Sequence, residues 1–239
     1  MKKEELILAI LSELRPYSMP YLMNRYGNKA EDGGYALLKN FAEESQIIYS
    51  LGVGSIVQNY LFEIEMAGYG KKVFMYDDNL EKLPQHFENL FYKKCFVSSK
   101  NALEHIKENG HEDERDMLAQ IDIEGGEYEL ISNIDSSYFK HFSQLTFEFH
   151  DLHDPTEEML NVLKKINEHY YMYHIHANNH SNKFDSVFGV MPEAIEVSYV
   201  RKDKVPFTPY YCKLPRPFPL IDVPCCRFRP DITLRWWCS

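Results

Sequence analysis

Apolar and polar positions fall into short alternating blocks along most of this chain. Gln46-Ile47-Ile48-Tyr49-Ser50-Leu51 is a brief apolar run of the kind a buried strand gives. It ends in Gly52-Val53-Gly54-Ser55, after which helical spacing runs from Ile56 to Ala67. Lys72 to Tyr76 reads as a second strand, closing on Asp77-Asp78. Helical spacing returns over Leu80 to Tyr92, then a short strand over Cys95 to Val97 and a helix over Asn101 to Glu108. Met117 to Ile123 and Leu145 to Phe149 are further buried strands, separated by a helix over Glu127 to Ile134. Thr156 to Glu168 is an amphipathic helix introduced by Asp154-Pro155-Thr156. Tyr170 to Ile175 and Ala194 to Val200 are the last two strands, joined by a long loop.

Alternation of this kind predicts a mostly parallel sheet covered by helices on both faces. The last two strands, lacking a helix between them, predict an antiparallel strand at one edge. The segment before Tyr26 reads as helical, broken at Pro16 and Pro20. We therefore expect residues 1–35 to form a helical segment ending in a turn, 36–204 the main domain, and 205–239 a tail rich in Pro, aromatics and Cys that wraps it. Trp236-Trp237 would anchor that tail.

Composition narrows the function. The formal charge of −10 lacks the basic surplus that neutralises nucleic-acid phosphates, and it disfavours an anionic membrane surface. No apolar run reaches the ~18 residues of a membrane span. Leu6 to Leu11 is too short and too interrupted for a signal peptide, so a cytoplasmic protein is expected. Five cysteines without a C-x-x-C pair suggest neither a disulfide framework nor a zinc site. A homo-oligomer is left open.

Candidate chemistry sits at the ends of the predicted strands, where open α/β sheets bind ligands. Gly52 and Gly54 form a glycine turn after the first strand, and an acidic doublet follows the second. A carboxylate at that place can accept the ribose hydroxyls of a nucleoside. A dinucleotide fingerprint needs a third glycine, and Ser55-Ile56-Val57 lacks it. A P-loop is absent as well. The turn therefore suits a nucleoside without a pyrophosphate, such as S-adenosylmethionine.

These residues, with others in order, resemble the FkbM-type methyltransferases and related methyltransferase-like proteins. The likeness rests on Asp32-Gly33-Gly34-Tyr35, Ser50-Leu51-Gly52-Val53-Gly54-Ser55, and Asp122-Ile123-Glu124-Gly125-Gly126-Glu127. It continues through Glu148-Phe149-His150, His176-Ala177-Asn178-Asn179 and Pro192-Glu193-Ala194-Ile195-Glu196-Val197, spanning about Tyr26 to Arg201. The resemblance implies a Rossmann-like class I fold with seven strands and S-adenosylmethionine as methyl donor. It implies O-methylation of a sugar or a related polar hydroxyl, such as a nucleotide sugar or polysaccharide precursor. Tyr35, Gly52, Gly54, Asp77, Asp78, Ser98 and Asp122 would then line the cofactor site. Relatives tend to carry Asp-Pro where this chain has Asp77-Asp78-Asn79, which leaves the ribose-binding carboxylate open between the two.

A neutral hydroxyl is a weak nucleophile, so its methylation needs a base or a metal. His150 is expected as general base, with Asp122 orienting it and Glu124 touching the substrate. His176, Asn178 and Asn179 are expected to line the substrate cleft. A divalent cation held by Asp122, His150 and Asp151 is the alternative to the base. The other readings are transfer to a phosphate, carboxylate or nitrogen, or a binding protein without turnover. Asn-Pro-Pro-Tyr-type motifs of amino-group methyltransferases are absent.

Overall fold

The computed structural model describes residues 2–54, 60–80, 87–187 and 189–238. The first turn of the helix expected from Ile56, and residues 81–86 of the helix expected over Leu80 to Tyr92, lie outside the described residues.

Helix α1 (Lys3–Glu13) is followed by a hairpin of β1 (Met23–Gly27) and β2 (Gly34–Leu38). Then come α2 (Lys39–Glu44), β3 (Ile47–Leu51), α3 (Leu61–Gly68), β4 (Lys72–Asp77) and β5 (Leu90–Lys94). α4 (Ala102–Glu108), β6 (Met117–Ile121), α5 (Glu127–Asn133), β7 (Phe142–Phe149) and α6 (Glu157–His169) continue the alternation. β8 (Tyr170–Ala177), a small hairpin of β9 (Lys183–Ser186) and β10 (Gly189–Pro192), and β11 (Ile195–Arg201) complete it.

Seven strands form one sheet in the order β5-β4-β3-β6-β7-β11-β8. The pairs from β5 to β7 are parallel, and β11 runs antiparallel to both its neighbours. The antiparallel strand is thus not at the edge, as expected, but next to it. The crossover through α6 sets β8 down one strand-width away from β7, and the returning β11 fills the gap. The strand order reverses beside β3, which places the glycine turn and the end of β6 at the opening between neighbouring crossovers.

The two faces follow the period of two along each strand. Ile47, Tyr49 and Leu51 of β3 join one core with α1, α4, α5 and α6, whereas Ile48 joins the other with Phe62 and Met66 of α3. α6 carries its apolar stripe at Met159, Val162, Leu163 and Ile166, and Thr156 caps it by accepting from the Met159 N–H at 3.1 Å.

Three expectations change. The region before Tyr26 is helical only to Glu13; Met23–Gly27 pairs with Gly34–Leu38 around the polar turn, so a hairpin bridges the boundary expected at residue 35. The third parallel strand is Leu90–Lys94, not Cys95–Val97, because it is an exposed edge strand whose lysines and aromatics imitate a helix. The long loop before β11 holds the β9–β10 hairpin. Trp236 Nε1 donates to the Leu11 carbonyl in α1, and Trp237 Nε1 to the Leu214 carbonyl within the tail, each at 3.0 Å. No helix among the described residues is long and apolar enough to cross a membrane.

Phe147, at the centre of β7, is fully buried and stacks on Phe149 with ring centroids 4.9 Å apart. Phe147→Ala should lower stability by about 3–5 kcal/mol. Chemical denaturation checks this, and a loss under about 1 kcal/mol would mean that the core is not packed as described.

Candidate functional site

The sheet opens at its carboxyl end onto a cavity of about 800 Å³, within the range of small-molecule sites. Gly52, Gly54, Asp77, Asp78, Asp122, Glu124, His150 and Tyr35 all line it. β3, β4, β6 and β7 each deliver their last residues there, because parallel strands end on one side of a sheet.

Gly52 has φ +77°, and a Cβ added to it would meet the Asp122 carbonyl oxygen at 1.7 Å. No other residue lets the end of β3 cross so close to the end of β6. Asp77 then shapes the turn. One carboxylate oxygen accepts from the Val53 and Gly54 N–H groups at 2.7 and 3.0 Å, and the other from Asn79 and Leu80 at 2.6 and 3.1 Å. Four main-chain donors saturate this buried carboxylate, so it braces the cavity wall. Asp78 is exposed, also lines the cavity, and among the described residues accepts only from the neighbouring Asn79 side chain. Of the two acids, Asp78 is the one whose carboxylate is not saturated by main-chain donors among the described residues.

Deeper in, carboxylates gather around His150. Its Nδ1 lies 3.3 Å from Glu127 Oε1. Its Nε2 faces Glu148 at 3.6 Å, Glu124 at 3.7 Å and Asp122 at 3.8 Å. Glu127 is fully buried and also receives the Ile123 and Gly125 N–H groups, which folds the Gly125-Gly126 turn back onto β6. Burial opposes charge on His150, but the Glu127 hydrogen bond and the charges of Glu127, Glu148 and Glu124 outweigh it, and its pKa is pushed up to about 9. Burial, reinforced by Glu127 and Glu124, holds Asp122 well above the usual carboxylate range, and burial with Asp122 and Asp32 does the same for Glu148. One buried oxygen of Asp122 has no hydrogen-bond partner.

The residues expected around a cation are not all brought together. Asp151 has φ +58° and does not line the cavity. Glu127 stands with Asp122 and His150 instead, with ligand atoms within 4.8 Å of one another, but it is engaged by two main-chain donors. Ser98 is a correction as well. Its N–H bonds the Asn101 side chain at 2.9 Å at the start of α4, and Phe96 and Val97 line the cavity in its place.

The polar cluster at the end of β8 divides. Asn178 lines the cavity and donates to Glu148 at 2.6 Å. His176 and Asn179 do not line it; both are buried and hold the tail. Asn179 donates to the carbonyls of Cys226 and Arg229 at 3.0 Å and accepts the Cys226 N–H at 2.7 Å. His176 sits between Glu196 and Asp231, each 3.1 Å away. Burial opposes its charge, but both hydrogen bonds outweigh it, and its pKa is pushed up to about 10. His180, of the same polar cluster, lines the cavity with Asn178, and so do Asp32 and Ser181, to which sequence reasoning gave no role. Asp32 and Glu148 lie inside quoted motifs, but only the pairing of Glu148 with Glu196 across β7 and β11 shows how these acids converge.

No protein-family model matches the chain, and no curated protein matches it either.

His176 links β8 and β11 to the tail, and its pKa lies above the ordinary 6.5. The stability it contributes is complete below about 6.5 and is lost as pH rises through about 10. Thermal unfolding of wild type and His176→Asn should therefore differ most below about pH 6.5 and converge toward pH 10. A difference independent of pH would show that His176 carries no charge in the fold.

Proposed function

We propose that this protein binds S-adenosylmethionine at the carboxyl end of its sheet and transfers the methyl group to an uncharged, sugar-like hydroxyl. One observation carries the proposal. A single cavity gathers the glycine turn after β3, the acidic doublet after β4 and the ends of β6 and β7, and no lysine or arginine is among its described lining residues. Such a cavity repels a pyrophosphate and suits a cationic sulfonium. The strand order, with one antiparallel strand inserted beside the last parallel one, supports a Rossmann-like class I methyltransferase fold. The same acidity favours a free or glycan-linked sugar over a nucleotide sugar as acceptor.

The donor, when bound, supplies an electrophilic methyl group on sulfur. The protein's own residues do the rest. The turn at Gly52 leaves room against the main chain, and Asp77 holds that turn open. Asp78 accepts the ribose hydroxyls. Asn178 fixes Glu148, and Glu127 fixes His150 through Nδ1, which leaves Nε2 toward Asp122 and the cavity. A neutral Nε2 accepts the hydroxyl proton as the oxygen attacks, and the carboxylates stabilise the imidazolium that forms. Those acids also keep His150 protonated below about pH 9. The base is therefore released only as pH rises.

Two outcomes follow. Titration calorimetry should detect binding of S-adenosylhomocysteine in a folded sample, weakened about tenfold or more by Asp78→Ala, the loss of a hydrogen bond to a charged group. An absence of heat with both the donor and its demethylated product would end the proposal. Homocysteine-product release with sugar acceptors should rise with pH up to about 9, and His150→Gln should reduce it by about 10²–10⁴-fold. A flat profile across that interval, or full turnover in the variant, would remove His150 as the base.

A further inference from the structure

A second polar line runs through the apolar face of the sheet that packs on α3. Glu63 of α3 is 1% exposed, and no cation pairs with it among the described residues. Its Oε1 lies 2.5 Å from the Ser50 hydroxyl of β3, and its Oε2 has no hydrogen-bond partner among the described residues. The Ser50 hydroxyl also lies 2.7 Å from Gln120 Oε1 of β6. Gln120 Nε2 donates to the Tyr35 hydroxyl of β2 at 3.0 Å. Tyr35 is 4% exposed and lines the cavity.

Counting hydrogens settles the direction of this line. Ser50 has one hydroxyl hydrogen and faces two carbonyl-type oxygens. Gln120 Oε1 brings no hydrogen of its own, so the second one comes from Glu63. The protonated acid donates to Ser50, Ser50 to Gln120, and Gln120 to Tyr35. Tyr35 then accepts, and its own hydrogen has no acceptor among the described residues. The opposite polarity needs the Gln120 amide turned over and a bare carboxylate at Glu63, buried without a counter-charge, which is costly. Burial agrees with the first setting, since it pushes the Glu63 pKa up to about 7 against the Ser50 hydrogen bond.

We propose that Glu63 is held protonated and, through Ser50 and Gln120, aims the Tyr35 hydroxyl hydrogen into the cavity as a donor to a neutral acceptor atom of the bound ligand. Glu63 is a positioning residue in this arrangement, and Tyr35 is the contact. The ligand's identity rests on the function proposed above; the proton on Glu63 and the polarity of the relay do not. The hydrogen aimed by Tyr35 adds a donor of fixed direction and no charge to a wall built largely of carboxyl groups. It rewards a ligand that presents an oxygen or nitrogen lone pair at that wall.

Infrared difference spectroscopy of the ligand-free protein at about pH 6, below the Glu63 pKa of about 7, tests the relay. Wild type minus Glu63→Gln should show the carbonyl stretch of a protonated carboxylic acid, shifted in heavy water. Should that variant fail to fold, Ser50→Ala gives the assignment, because losing its acceptor moves the same band. The phenol C–O stretch of Tyr35, assigned by subtracting Tyr35→Phe, should be that of a hydroxyl that accepts a hydrogen bond. A missing acid band, or the signature of a pure phenol donor, would reverse the relay and overturn the proposal. In calorimetry with S-adenosylhomocysteine, Tyr35→Phe should weaken binding about three- to tenfold, the loss of one neutral hydrogen bond. Unchanged affinity would overturn the donor role. No binding by the wild type would instead defeat the cofactor reading, while the two infrared bands still decide the relay.

Discussion

Buried carboxylates crowded at one end of a sheet must be matched by protons or cations, and this requirement organises the molecule. Asp32, Asp122, Glu127, Glu148 and Glu196 meet where β6 and β7 end and β11 begins. Repulsion among them is offset by His150, by His176 and by Arg25, whose guanidinium lies 3.9 Å from Glu196. Burial and the neighbouring acids push the Asp122 and Glu148 carboxyls well above the usual carboxylate range, which favours their neutral forms. The acidic wall is balanced from within the cavity by His150 and from behind by His176 and Arg25, which do not line it.

The same requirement explains why the tail belongs to the fold. His176 needs Asp231 as well as Glu196, and His174 pairs with Asp222 at 2.7 Å. Asn179 closes on the Cys226–Pro230 main chain. The polar residues of β8 thus buttress the acidic centre from the side away from the ligand. Asn178 alone faces the cavity directly from that group, through its bond to Glu148.

The sequence was most legible where burial imposes a pattern. Continuous apolar runs disclosed β3, β4, β6 and β7, and residues just after them disclosed the glycine turn, Asp77, Asp122 and His150. Elements with exposed faces were harder to read. β5 looked helical through its lysines, and the β1–β2 hairpin hid behind Pro16 and Pro20, although its Asp32-Gly33-Gly34 turn is a recognisable hairpin signal. The roles of His176 and Asn179 were out of reach because their partners stand some fifty residues away in the tail. The choice between Asp77 and Asp78 likewise depended on main-chain donors that only the folded turn assembles. His150 was found by its place, but its raised pKa comes from three acids, Glu124 and Glu127 after β6 and Glu148 in β7.

The account turns on an acidic cavity matched to an adenosine sulfonium. A structure of the protein crystallised with S-adenosylhomocysteine tests this most directly. It should show the ribose on Asp78, the amino-acid end against the turn at Gly52, and the sulfur directed toward Asp122 and His150. An empty cavity in saturated crystals, or the adenosine lodged elsewhere on the surface, would contradict it.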